Sequence, residues 1–362
     1  MIVVDAHEDI AHNMVNYGRD YVRSVSETRE LEAGSETVIR NGHTLLGWPE
    51  WIEGRVAVIF ATLFSKPIRW KKGEWEHNVY SDDIEANYNY RRQLDTYHRL
   101  FDEHGDKFVG IASVDDLEET LETWEDDPLQ DPLIGFVLLM EGGEGVSEPG
   151  ELEMWFEGGV RILGPAWSGT RFCGGTREPG PLTKFGYELL DAMAEWGMIL
   201  DLSHMAEKAA LQSFDRYPGS IIASHSNVRS LLNGSDIPDR HLSDLTIMRM
   251  AERDGVIGIV PFNKFLLGGW DDGDPREWVT MDHVAAQIDH ICQRVGSASH
   301  AAIGSDFDGG FGLDKVPVEL DSVADLKLIG DALKKQGYGR EDVEAILGGN
   351  WLRVLRTALP KR

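Results

Sequence analysis

The sequence predicts an α/β fold, a distorted (β/α)8 TIM-type barrel with parallel strands and insertions, as a single barrel domain over residues 1–362. Three observations predict the barrel. Short runs rich in Val, Ile and Leu recur along the whole chain, and segments with helical spacing separate them. Most of the runs are uniformly apolar, as strands buried on both faces are. A doubly wound open sheet is the competing architecture, but no G-x-G-x-x-G opens a helix after the first strand.

The apolar runs lie at residues 2–4, 56–63, 108–112, 134–140, 160–163, 198–200, 221–223, 256–260 and 301–303. Nine is one more than a barrel needs. Residues 108–112 are the surplus, because a long acidic helix follows them rather than a candidate site residue. Helices are predicted over 83–103, with Tyr and Leu at helical spacing, and over 185–196, with Leu189, Leu190 and Met193 on one side. A third covers 281–295, with Val284, Ile288 and Ile291, and two more cover 322–336 and 350–359. Residues 13–55 are polar and carry Gly18, Gly34, Gly42 and Gly47, which reads as a long functional or mobile loop. Eight of the thirteen residues 115–127 are acidic, with apolar Leu117, Leu121 and Trp124, as in a solvated helix face. No internal repeat or Pro/Ser-rich linker divides the chain.

Asp and Glu number 62 against 35 Lys and Arg, a formal charge of −27 that repels phosphate backbones and anionic lipid. Nucleic acid and membrane surfaces are therefore not expected as partners. The 42% hydrophobic content, with 11 Trp and 13 Phe, supplies a packed core and excludes wholesale disorder. Cys173 and Cys292 form neither a disulfide framework nor a C-x-x-C pair. The N-terminus has no basic region before its three-residue apolar stretch, and no run of about 20 apolar residues occurs. A cytoplasmic location is the expectation.

Metal-ligand types follow the ends of the apolar runs. The first run enters Asp5-Ala6-His7-Glu8-Asp9, in which His7 and Asp9 point the same way if the backbone is extended. Residues 134–140 end at Glu141, 198–200 run through Asp201 to His204, 221–223 end at Ser224-His225, and 301–303 end at Gly304-Ser305-Asp306. A parallel barrel gathers its C-terminal strand ends on one face, where barrel active sites lie. These nitrogen and oxygen donors suit zinc or a similar divalent ion, and Glu141 can bridge two of them. Taken singly, each has a bland reading: a structural histidine, a Glu-Gly-Gly turn, an aspartate N-cap. Five strand ends carrying ligand types in one register argue for a metal site. The Trp-rich segments 47–51 and 70–75 either line a pocket or cover the barrel. His12, His43, His77, His98, His104, His241, His283, His290 and His300 are read as surface or packing residues. No phosphate loop, G-x-S-x-G elbow or cysteine nucleophile context is present.

At these residues the sequence resembles the membrane (renal) dipeptidase family of the amidohydrolase superfamily. The matching stretches are DAHEDI at 5–10, MEGGEG at 140–145, ILDLSHM at 199–205, IIASHSNVRSL at 221–231, AAIGSDFDGG at 301–310 and ILGGNWLRVL at 346–355. The resemblance implies a barrel holding two divalent ions, zinc being expected, with His7 and Asp9 on one, His204 and His225 on the other and Glu141 between them. It implies Asp306 as the catalytic acid/base, a hydroxide bridging the two ions as nucleophile, and a homodimer.

Two departures bear on the substrate. The family's histidine for the tetrahedral intermediate, eight residues after the glycine opening the fourth strand, is replaced by Trp167, counting from Gly159. An indole offers one donor and no charge. The family's arginine for the substrate carboxylate, eleven residues after the second metal histidine, is replaced by Asp236, which would repel that group. Arg229 and Arg240 are the candidates to take its place, though neither matches the motif position. Phe265 stands where the family usually has a tyrosine after the seventh strand. The expected function is a zinc-dependent, dipeptidase-like metallohydrolase of a peptide or related amide bond in a small molecule. An amidohydrolase of a cyclic or N-acyl compound and a metal-binding barrel without turnover are the competing readings.

Overall fold

The computed structural model describes residues 1–125, 132–232 and 237–361. Eight parallel strands make the barrel: β1 (Val3–Glu8), β2 (Val56–Phe64), β3 (Ile134–Glu141), β4 (Val160–Gly164), β5 (Ile199–Asp201), β6 (Ile221–Ile222), β7 (Ile257–Ile259) and β8 (Ala301–Ile303). Their side chains are buried throughout, which is why the runs show no alternation. A continuous ladder joins β1 to β6 in chain order. Its longest pairing sets seven residues of β2 against β3, from Val58 opposite Gly135 to Phe64 opposite Glu141.

The pair β7–β8 closes the circle through single bridges, Ala223 to Ile257 on one side and Glu8 to Phe307 on the other. The amide of Asp306 donates to the His7 carbonyl at 3.0 Å across that last seam. Close approach requires glycine at two points there. A Cβ on Gly258 or Gly304 would lie 2.0 or 1.8 Å from the Ser224 carbonyl oxygen. The ninth strand, Phe108–Gly110, pairs only with the first half of β3, below the point where β4 begins, and is surplus to the barrel as expected.

The helices Asp83–Glu103 and Met281–Val295 match the sequence reading at both ends, and Lys184–Glu195 and Asn350–Ala358 match within one residue. Residues 322–336 divide into a 3-10 segment, Val323–Lys327, and a helix, Leu328–Lys335. The acidic segment forms the helix Val114–Glu122, with Leu117 and Thr120 as its buried contacts; Asp126 and Asp127 lie outside the described residues.

The expectation of a long loop between the first two strands is corrected. The helices Ile10–Tyr17, Val25–Leu31, Glu36–Asn41 and Trp48–Gly54 occupy it. What orders so polar a segment is buried hydrogen bonding. Arg19 and Asp308 form an ion pair at 2.9 Å with both side chains fully buried. Asp308 also accepts from the Tyr21 hydroxyl at 2.8 Å, the Thr44 hydroxyl at 2.7 Å and the Leu45 amide at 3.0 Å. Asn13 donates to its carbonyl at 2.9 Å. Polar side chains that read as solvated in sequence are thus satisfied inside the protein, on the turn that follows Asp306.

Candidate metal centre and active site

The C-terminal ends of the barrel strands and the turns that follow them bring six predicted residues together. His7 Nε2 is buried without a hydrogen-bond partner. It lies 3.9 Å from Asp9 Oδ1, 3.7 Å from Glu141 Oε2 and 3.9 Å from Asp306 Oδ1. The other oxygen of Glu141 lies 3.0 Å from His204 Nε2 and 3.3 Å from His225 Nε2, and these two nitrogens are 3.0 Å apart. Glu141 therefore faces His7 with one oxygen and the histidine pair with the other.

The backbone is adapted to this convergence. His204 (φ 66°) and Asp306 (φ 57°) both adopt the left-handed conformation, which is costly for side-chain-bearing residues and recurs at functional turns. Two aspartates deeper in the barrel anchor the turns that carry these ligands. Asp201 accepts from the Ser203 amide at 3.0 Å, and from the Ser224 amide at 2.9 Å and hydroxyl at 2.5 Å. The Ser224 oxygen in turn faces His225 Nδ1 at 2.7 Å. Because the serine proton is committed to Asp201, His225 Nδ1–H is the donor, and the Nε2 lone pair is left facing the site. Thr176 Oγ1, 2.9 Å from His204 Nδ1, orients that ring in the same sense. Asp5 repeats the device on the other side of the barrel, accepting from the amide (2.6 Å) and hydroxyl of Ser305, next to Asp306.

Electrostatics favour an added cation. Burial, then the charges of Asp9 and Asp306, push Glu141 well above the ordinary carboxylate range; burial and Asp9 do the same to Asp306. Asp9 is pushed up to about 6 by burial, against a hydrogen bond from Thr62. Burial and Arg240 hold His7, His204 and His225 well below their usual range, neighbouring imidazoles adding to the effect on His204 and His225, so all three are neutral with lone pairs available. Two overlapping sets satisfy metal-ligand spacing, His7–Glu141–His225 and His7–Asp9–Asp306. Crowded carboxylates, neutral imidazoles and an orphaned His7 nitrogen fit divalent ions better than they fit each other.

The cluster lies in a cavity of about 520 Å³. Trp167 forms part of its wall, 5.4 Å from the Phe64 ring and 6.1 Å from the His204 ring between centroids. Phe265 lines it too, beneath the Arg240 guanidinium at 5.2 Å. Asp236 lies outside the described residues. Of the Trp-rich segments, 70–75 supplies cavity-lining Trp70 and Trp75, whereas Trp51 is packed in the core and donates to Glu8. His12, read as a packing residue, lines the cavity.

Arg240 is the main residue to which sequence reasoning gave no motif role. It is 3% exposed, donates to the His225 carbonyl at 2.8 Å, and turns an unpartnered Nη2 within the cavity lining. The only signal for it was proximity in sequence to His225.

The membrane dipeptidase (peptidase M19) family profile matches residues 1–360. The chain belongs to this family. It is thus a metallopeptidase-family hydrolase, and the family implies divalent metal. Among curated relatives, an uncharacterised protein in the pqqA 5′ region of Klebsiella pneumoniae is 31% identical over 63% of this chain and 83% of its own length. Dipeptidase tcpJ of Claviceps purpurea is 26% identical over 84% of this chain and 67% of its own. A solved metallopeptidase from Rhodobacter sphaeroides, liganded with a phosphinate mimic of the dipeptide L-Ala-D-Ala, shares the fold with a TM-score of 0.78 at 21% identity, covering 99% of both chains. No helix among the described residues is long and apolar enough to cross a membrane.

Proposed function

We propose that this chain hydrolyses the amide bond of a dipeptide or closely related small molecule, using two divalent ions of which zinc suits the donor set best. The observation that carries the reading is the buried, partnerless His7 Nε2 within 4 Å of three carboxylates, opposite the His204–His225 pair that shares Glu141. His7 and Asp9 would hold one ion, His204 and His225 the other, and Glu141 both. When bound, such a pair supplies Lewis acidity and a hydroxide nucleophile at neutral pH.

The protein's own groups do the rest. Asp306 stands beside His7 and Asp9 with its carboxylate toward the cluster, placed to take a proton from the attacking water and return it to the departing amine. Arg240 supplies a desolvated cation with a free Nη2 within the same cavity, suited to an anionic substrate group. It stands in for the family arginine that the motif position lacks. Trp167 and Phe265 are apolar walls that hold the substrate and exclude water.

The test is Asp306→Asn in zinc-reconstituted protein assayed on a dipeptide panel. The variant should keep most of its metal and lose hydrolysis by about 10²–10⁴-fold. Full activity would remove Asp306 from the chemistry, and failure of the metal-loaded parent to cleave any dipeptide would overturn the dipeptidase reading.

A further inference from the structure

The mouth of the cavity has the opposite charge to the molecule. The chain carries −27, yet cationic side chains cluster where a substrate enters. Several are neutralised. Lys66 pairs with Glu76, Lys264 with Asp271 at 3.1 Å, and Lys315 with Asp272 at 2.9 Å. Lys72 and Arg177 have no carboxylate within 4.0 Å among the described residues, and both are exposed at the rim.

Both belong to the stretch of rim around Trp70. Arg177 occupies the left-handed turn (φ 65°) of the hairpin formed by Cys173–Gly175 and Glu178–Leu182, with its guanidinium 5.6 Å from the Trp70 ring centroid. Lys72 lies two residues after Trp70, with its amide tied to Glu76. Partial desolvation and the like charges of Lys66, Lys315 and Arg177 push Lys72 below the ordinary lysine range, against the opposing charge of Glu76, and all four cations line the cavity. Deeper in, Arg240 also has no carboxylate within 4.0 Å among the described residues, and it is buried with Nη2 unpartnered. The aromatic surfaces of Trp70 and Trp167 line the same cavity.

We propose that the cavity selects substrates with two separated negative groups: one held by Arg240 in its depth, and the carboxylate of an acidic side chain held between Lys72 and Arg177 at its mouth. Free cations placed together at a rim are self-repulsive, which gives the fold no benefit; an arriving carboxylate relieves that repulsion. They also reverse the local sign of a field that would otherwise repel an anionic substrate. The inference rests on the amide-hydrolase reading for its reaction and names the class of substrate that reaction takes: dipeptides, or their N-acyl relatives, containing an acidic residue.

The experiment compares isosteric pairs on the full-length, zinc-reconstituted protein: Ala-Glu with Ala-Gln, and Glu-Ala with Gln-Ala. At least one acidic peptide should exceed its amide partner about tenfold in kcat/KM. That ratio should fall toward one in Lys72→Met/Arg177→Met, whose melting temperature should match the parent's. Equal values within both pairs, or a ratio that survives in the double variant, would overturn the proposal. Should none of the four be cleaved, selectivity is read from quenching of the cavity tryptophans by the same peptides, and the dipeptidase reading is decided on the wider dipeptide panel. Tighter binding of the acidic peptides, lost in the double variant, upholds the second anionic subsite; equal binding overturns it.

Discussion

Replacing Arg19 by methionine tests how the segment between β1 and β2 is held against the active-site turn. The aliphatic stem is retained, but the 2.9 Å pair with Asp308 is lost, as are the bonds to Glu32 at 2.9 and 3.0 Å and to the Gly42 carbonyl at 2.8 Å. Asp308 keeps three donors, from Tyr21, Thr44 and Leu45, but no cation, and its side chain is fully buried. Breaking one partner of a buried pair costs about 3–5 kcal/mol. A chain of this length unfolds with an entropy of roughly 0.8 kcal/mol/K, so the melting temperature should fall by about 4–6 °C. Urea unfolding and thermal melts of metal-free parent and variant measure it. Glu32→Gln is the control, removing a partly exposed partner at a cost of about 1 kcal/mol or less. A loss below about 1 kcal/mol for Arg19→Met would refute the argument, because water would then be serving Asp308 as well as the guanidinium does.

Two further outcomes are expected. Ser224→Ala removes the acceptor of His225 Nδ1–H and the link to Asp201, and should weaken zinc affinity about 10–100-fold in a chelator competition; unchanged affinity would mean the ring is oriented by other contacts. His241 is held down to about 3 by burial and then by Arg240 and Arg229, below its usual 6.5, so the folded state excludes a proton that the unfolded state binds. Its contribution is complete above pH 6.5 and is lost as pH falls toward 3, by up to about 1.4 kcal/mol per pH unit, and His241→Gln should flatten the pH dependence of urea stability by that slope. Identical slopes in parent and variant would exclude the assignment.

The strands were legible because each is buried on both faces, so periodicity did not compete with composition; β5 to β8 were identified despite having only two or three residues each. The convergence of His7, Asp9, Glu141, His204, His225 and Asp306 was legible because a parallel barrel turns strand ends into neighbours. Residues 13–55 were misread because their partners are distant: Tyr21 and Thr44 reach Asp308 across more than 260 positions, which no local pattern records. The same holds for Thr176, whose contact with His204 depends on a hairpin that only tertiary packing places. Arg240 lacked a motif, and its role came from burial and an unused nitrogen.

The unequal lengths of the barrel ladders have a consequence for how the molecule opens. Seven residue pairs join β2 to β3, whereas two join β5 to β6 and three join β7 to β8. His7, Asp9 and Glu141 lie at the ends of long strands; His204, His225 and Asp306 follow short ones. The chain is therefore a robust half zipped to a fragile half, and the chemical cluster straddles the join. A ligand gripping both sides acts as a clasp, stabilising the closed ring by its own binding free energy. Stripped of that clasp, amides of the short ladders should exchange with solvent first, while those of β2 and β3 hold to the end.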